Sequence, residues 1–269
     1  MRTERPRLFN LVMLVTLSAG LLGLLNGAAF WAGAVLLVAV TAFGSLSFLA
    51  TLDPRGVPVE SLATPAAAAL SVMGLTHIAG PGLLGMALLV PGALLVASTL
   101  EVETGLVGSA SEAHARRRGQ LVPLMVLLAF LAFTTVSSVV YGALDDKAGT
   151  SGPASLSLDE GRLLLLVGID ALVAFALGYR LAGARSASVL GAARAGGTFA
   201  VVIGVAAALT RAIALPRILG PALLAAVFYL WSAYRSASGV ERRSAAWLWE
   251  YAVLAGAAAL AVAWTLLLR

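Results

Sequence analysis

The stretch LLLLVGIDALVAFALG, Leu163 to Gly178, holds one carboxylate, Asp170, among apolar and glycine residues. An acid in such a run handles a proton, an ion or a solute, or pairs with a cation from another helix. Asp170 lies about 8 residues from the end of its apolar segment, about 12 Å deep at 1.5 Å per residue. A charged carboxylate there costs about 2.5–3.5 kcal/mol on insertion scales. Its own-helix neighbours at one-turn spacing are Leu166, Val167, Val173 and Ala174, and none can pair with it. A partner must come from another helix, or the acid must be protonated.

Candidates at comparable depth are Arg211, whose long side chain can reach inward, and His77. In FTTVSSVVYG, Thr134, Ser138 and Tyr141 recur at i, i+4 and i+7 on one helical face, with Thr135 beside them. Together these residues would form a polar layer for a substrate, ion or proton. The structural alternative is a hydrogen-bonded staple between helices.

A second constellation lies in EVETGLVGSASEAHARRRG, where Glu101, Glu103, Glu112 and His114 precede Arg116, Arg117 and Arg118. Three adjacent arginines can bind anionic lipid headgroups or a phosphorylated substrate, and with Glu101, Glu103 and His114 they could serve a lipid-modifying enzyme. They also serve as plain topology signals. Pro91–Gly92 in LLGMALLVPGALLVAS would free a backbone carbonyl mid-helix. Gly23 and Gly27 form a GxxxG close-packing motif. Glu250 in AWLWEYAV is expected at an interface.

These residues sit in a chain that is 60% hydrophobic and 12% charged, with mean hydropathy +0.96. Soluble domains run at about 25% charged. The composition therefore indicates an all-α polytopic membrane protein, one integral-membrane helical domain over residues 1–269, and its partner is first of all the lipid bilayer. Its net charge of +5 belongs to helix ends rather than to nucleic acid, for which no role is expected. The absence of Cys removes disulfides and thiolate metal sites, and two His cannot build a His-rich centre, so no metal or cofactor is expected. Lys147 is the only lysine beside many arginines, a bias that suggests a GC-rich bacterial genome and the plasma membrane.

About nine apolar segments have spanning length: Leu8–Gly27, Ala29–Thr51, Thr64–Gly80, Gly82–Leu100, Leu121–Gly142, Arg162–Ala182, Gly197–Ala214, Arg217–Tyr234 and Ala246–Leu268. The basic MRTERPR start followed by an apolar run of about 20 residues reads as a retained first helix. With the N-terminus cytoplasmic, alternation leaves Lys147, Arg162, Arg211, Arg217 and Arg269 outside. The other basic residues, a large majority of the 18, fall inside, as the positive-inside rule requires. The C-terminus then lies outside. A weak parallel repeat relates ALSVMGLTHIAGPGLL to AAALTRAIALPRILGPALL, pairing residues 1–100 with 121–235.

The helix count, the RPR start and LDPRGVPVESLATPAAAAL after the second segment resemble the UbiA-type membrane prenyltransferases. That resemblance implies a prenyl diphosphate substrate and magnesium held by Asp-rich motifs in two cytoplasmic loops. Here the first loop offers only Asp53 and Glu60, and the second, GARSASVLGAARAG, has no acid. No magnesium cage can form from these loops, and no residue role is carried over. Walker A, G-x-S-x-G, H-E-x-x-H and Rossmann patterns are absent from the sequence. The leading expectation is a structural or accessory membrane subunit with a membrane-protein partner or a second copy of itself. The rivals are a small-solute or proton transporter built on Asp170 and a lipid-modifying enzyme at the cytoplasmic face.

Overall fold

The computed structural model describes residues 5–52, 57–107, 111–141, 160–184, 188–212 and 219–237, with scattered helical residues between 249 and 263. For residues 5, 107, 111–119, 141 and 211–212 the backbone alone is described. Eight α-helices follow one another: α1 (Arg5–Gly23), α2 (Gly27–Ala50), α3 (Ala63–Ala79), α4 (Leu83–Val107), α5 (Ser111–Tyr141), α6 (Glu160–Gly183), α7 (Val189–Ala212) and α8 (Leu219–Ser236). A single 3-10 turn, Val59–Leu62, leads into α3. The described residues contain no strand.

Seven of these helical stretches are long and apolar enough to cross a bilayer. They cover the first seven expected segments. The eighth, α8, is a helix of 18 residues, and Trp231, Tyr234 and Arg235 near its end lower its hydropathy. The ninth expected segment, Ala246–Leu268, lies largely outside the described residues. A helix satisfies its own backbone groups, which is why lipid accepts it.

The outward faces are apolar. Phe43 is 74% exposed, Leu83 87% and Leu164 72%. In water such surfaces would aggregate; in a bilayer they are the correct solvent-facing side. With no hydrophobic drive between helices in lipid, association depends on close packing, and small residues permit it. Gly74 of α3 lies against Thr135 of α5, and Gly92 of α4 against Val72 of α3. The α6–α7 pair is reciprocal: Gly178 receives Phe199, and Gly196 approaches the carbonyl oxygen of Phe175 and the side chain of Tyr179. Helix α3 packs against α1, α2, α4, α5 and α6, so it forms the hub. Its core neighbours include Leu37, Val96, Met125 and Phe133, all fully buried.

Close approaches fix the helix directions. Leu22 meets Gly33 and Leu11 meets Gly44, so α1 and α2 are antiparallel. His77 at the end of α3 reaches Gly23 at the end of α1, so these two run parallel. Val136 and Val140 near the end of α5 cluster with Leu166 near the start of α6. One side of the bundle therefore gathers the 3-10 turn, the start of α3 and the ends of α4 and α6.

Three local expectations change. Gly23 and Gly27 do not share a helix. Gly23 packs against Met73 and Thr76 of α3, whereas Gly27 opens α2 with φ +58 and open space around its missing Cβ. Helix α4 continues through Pro91 rather than breaking there. It also runs to Val107, beyond the expected end at Leu100, because Glu103 is satisfied inside the bundle.

Candidate functional site

The best-defined polar site among the described residues joins three helices. Glu103 lies in the last turns of α4, Arg180 in the last turn of α6 and Thr64 in the first turn of α3. Arg180 Nε donates to Glu103 Oε1 at 2.8 Å, and Arg180 Nη2 donates to Oε2 at 2.5 Å. Thr64 Oγ1 donates to Oε1 at 2.6 Å. Glu103 is 0% exposed and Arg180 4%. The planar guanidinium fork matches the carboxylate on both oxygens, a geometry lysine cannot reproduce. The two charges cancel within the low-dielectric interior, and each carboxylate oxygen has a donor. Beside it, Glu60 of the 3-10 turn packs over Gly183, where an added Cβ would stand 3.0 Å from Glu60 Oε1.

This arrangement divides the acidic run expected at the membrane surface. Glu103 faces inward, and Glu101, two residues earlier, is exposed. Arg116, Arg117 and Arg118 lie on the first turns of α5, where their side chains fall outside the described residues, as does that of His114. Sequence reasoning treated Glu103 and Arg180 as separate surface residues. The available signal was their opposite sign near the same end of two apolar segments.

Asp170 is 1% exposed. It belongs to the buried stripe of α6, Leu166, Asp170, Ala174, Leu177 and Leu181, so it faces the bundle and not lipid. Leu166, one turn before it, packs with Val136 and Val140 of α5. On α5, Thr134 Oγ1 donates to the Phe130 carbonyl at 2.7 Å, and Ser138 Oγ donates to the Thr134 carbonyl at 2.8 Å. Their protons are thus committed to their own helix, and their oxygens remain acceptors. An ionised carboxylate needs donors, which these two hydroxyls do not supply in this arrangement. Arg211 sits in the last turn of α7, and its side chain lies outside the described residues, like that of Tyr141. Glu250 is also outside them.

His77 is half-buried at the end of α3, and the structure directs it to α1. Its Nδ1 stands 2.9 Å from the Gly23 carbonyl oxygen, and its ring lies 4.6 Å from that of Phe30. A carbonyl only accepts, so Nδ1 carries the proton in this bond. The bond satisfies one of the terminal carbonyls that α1 cannot satisfy internally.

Among the described residues, no group of three His, Asp or Glu stands close enough to hold a metal ion. An open groove of about 660 Å³ runs along Leu75, Pro91, Gly92, Leu95 and Leu131, with Glu101 and Ser98 on its wall. It is a mostly apolar recess between α3, α4 and α5. No protein-family model, curated protein or solved structure matches the chain.

Proposed function

We propose that the chain is a structural or accessory integral-membrane subunit, held in a bacterial plasma membrane by nine spans, with its N-terminus cytoplasmic and its C-terminus outside. The observation that carries this reading is the use made of polar side chains in the bundle. Glu103, Arg180 and Thr64 join α4, α6 and α3, and His77 joins α3 to α1. These are staples: each polar group is consumed by another helix rather than presented to a cavity. The orientation is supported by Arg7, Arg194 and Arg235, which belong to the same side as the Arg180 site, while Arg162 belongs to the other. The partner is a membrane protein or a second copy of the chain, met through the apolar faces within the bilayer.

A second reading, a small-solute or proton transporter, is favoured by Asp170 alone, an acid 1% exposed near the middle of α6. Water separates the two. The natural chain lacks Cys, so single cysteines at Val167, Ala171 and Ala174 give an unambiguous readout. A membrane-impermeant maleimide is applied to unsealed membranes, with a cysteine at the exposed Glu160 as the positive control. The structural reading expects Glu160→Cys to label and the three others to stay unlabelled. Labelling around Asp170 would establish a wet path to the acid and favour the transporter.

A further inference from the structure

Helices α6, α7 and α8 enclose a pocket of about 250 Å³ on the side of the bundle that carries the Arg180 site. Leu181 of α6, Gly191, Ala195 and Phe199 of α7, and Ser232 and Arg235 of α8 line it. Among the described residues, no Asp or Glu lies on its wall. The volume is below the roughly 300–1,000 Å³ of sites for drug-sized ligands, so it suits a compact polar group.

Ser232 is the informative residue. It is 2% exposed, borders this pocket, and makes no hydrogen bond to any described residue. Many hydroxyls in the bundle donate to the preceding turn of their own helix, as Ser71 does to the Ala67 carbonyl and Ser138 to that of Thr134, while Thr16, Thr41 and Ser45 are unpartnered among the described residues but border no pocket of this kind. The Ser232 hydroxyl borders the pocket and can donate to a group bound there.

Arg235, one turn-step further along α8, supplies the charge. Its Nη1 donates to Thr198 Oγ1 at 3.4 Å, and Trp231 Nε1 donates to the same oxygen at 3.2 Å. Thr198 in turn donates to the Ala195 carbonyl at 2.7 Å. Arg235 is exposed, and this contact engages one of its five N–H donors beside the pocket. Gly191 belongs to the first turn of α7, whose N-terminal dipole end is positive. Ser188 already accepts the Gly191 N–H, so α7 adds field and not a free donor at that residue. Trp231 and Tyr234 stack at 5.6 Å alongside, as aromatic rings do at headgroup level.

We propose that this pocket binds a phosphoryl oxyanion, with Arg235 as the charged donor and Ser232 as the buried neutral donor. The phosphate belongs either to a lipid headgroup or to a free anion. This inference rests on the pocket and is independent of the structural role proposed above.

The test uses the full-length protein in a zwitterionic detergent. Binding is read as thermal stabilisation, first with inorganic phosphate against chloride at matched ionic strength, then with dihexanoyl phosphatidic acid against dihexanoyl phosphatidylcholine. Stabilisation by phosphate alone identifies a soluble anion as sufficient. Stabilisation by the phosphatidic acid only identifies a lipid headgroup. In either case Arg235→Gln should weaken the apparent affinity about tenfold or more and Ser232→Ala several-fold. Arg235→Lys should retain part of it. Arg194→Gln, at an exposed arginine of α7 that does not line the pocket, should leave it unchanged. The proposal is overturned if neither probe stabilises the protein. It is also overturned if Arg194→Gln weakens binding as much as Arg235→Gln, since the attraction would then be diffuse charge.

Discussion

Arg180 holds Glu103 on both carboxylate oxygens, 77 positions away in the chain, with neither residue more than 4% exposed. The pair sets the ends of α6 and α4 level with each other. Thr64 adds the start of α3 to the same carboxylate. A bond of this kind specifies register, because sliding either helix by one residue would separate the fork from its partner.

Removing one member should therefore cost more than removing both. Arg180→Met strands a buried carboxylate, a change that costs about 3–5 kcal/mol in buried pairs. The double variant Arg180→Met with Glu103→Met should recover most of that loss. Thermal or denaturant unfolding of the detergent-solubilised protein measures both, and equal losses in single and double variants would show that the ion pair is not the source.

Two threonines of similar burial should respond oppositely to the same substitution. Thr64 is 0% exposed and donates to a charged oxygen, so Thr64→Val should lose about 1.5–3 kcal/mol. Thr41 is 1% exposed, and its hydroxyl has no partner among the described residues. Thr41→Val should be neutral or stabilising. Unfolding midpoints of the two variants, compared with the natural protein, give the sign directly.

Gly23 and Gly27 should fail for different reasons. An added Cβ at Gly23 would stand 2.6 Å from the backbone oxygen of Met73, so Gly23→Ala forces α1 away from α3. It should also loosen the His77 bond to Gly23. At Gly27 there is space, but φ is +58, and an ordinary side chain costs about 1–2 kcal/mol there. Gly27→Asn should recover part of the Gly27→Ala loss because asparagine tolerates that conformation, whereas Gly23→Asn should be worse than Gly23→Ala. Stability of the four variants distinguishes the two mechanisms.

The proposed orientation places the two ends of α6 on opposite faces of the membrane. A cysteine at Glu160, exposed at the start of α6, should react with an impermeant maleimide added to intact cells. A cysteine at Ser188, exposed just before α7, should react only after permeabilisation. The reverse pattern would place the N-terminus outside.

The membrane class and the first eight helices were legible from apolar runs of spanning length. Their ends were less so. The segment ending at Leu100 stops where charge begins, yet α4 continues to Val107, since a charge can remain in a helix when another helix neutralises it. The start of α5 at Ser111 was hidden in the same way, because a polar stretch carries no hydropathy signal whether helical or not.

Composition and spacing alone determined that the chain is built of segments long and apolar enough to cross a bilayer, that one acid, Asp170, stands inside such a segment, and that its cations gather at helix ends. Each of those follows from transfer energies, which depend on residue type and local run length. Only the tertiary structure decided that Glu103 meets Arg180, that His77 serves α1, and that Ser232 and Arg235 share a pocket. Those pairings depend on which faces of uniformly apolar helices approach one another, and a helix apolar all round gives no periodic signal of its contact face. Close packing at Gly74, Gly92 and Gly178 and the polar pairs between helices together fix which faces meet and in what register.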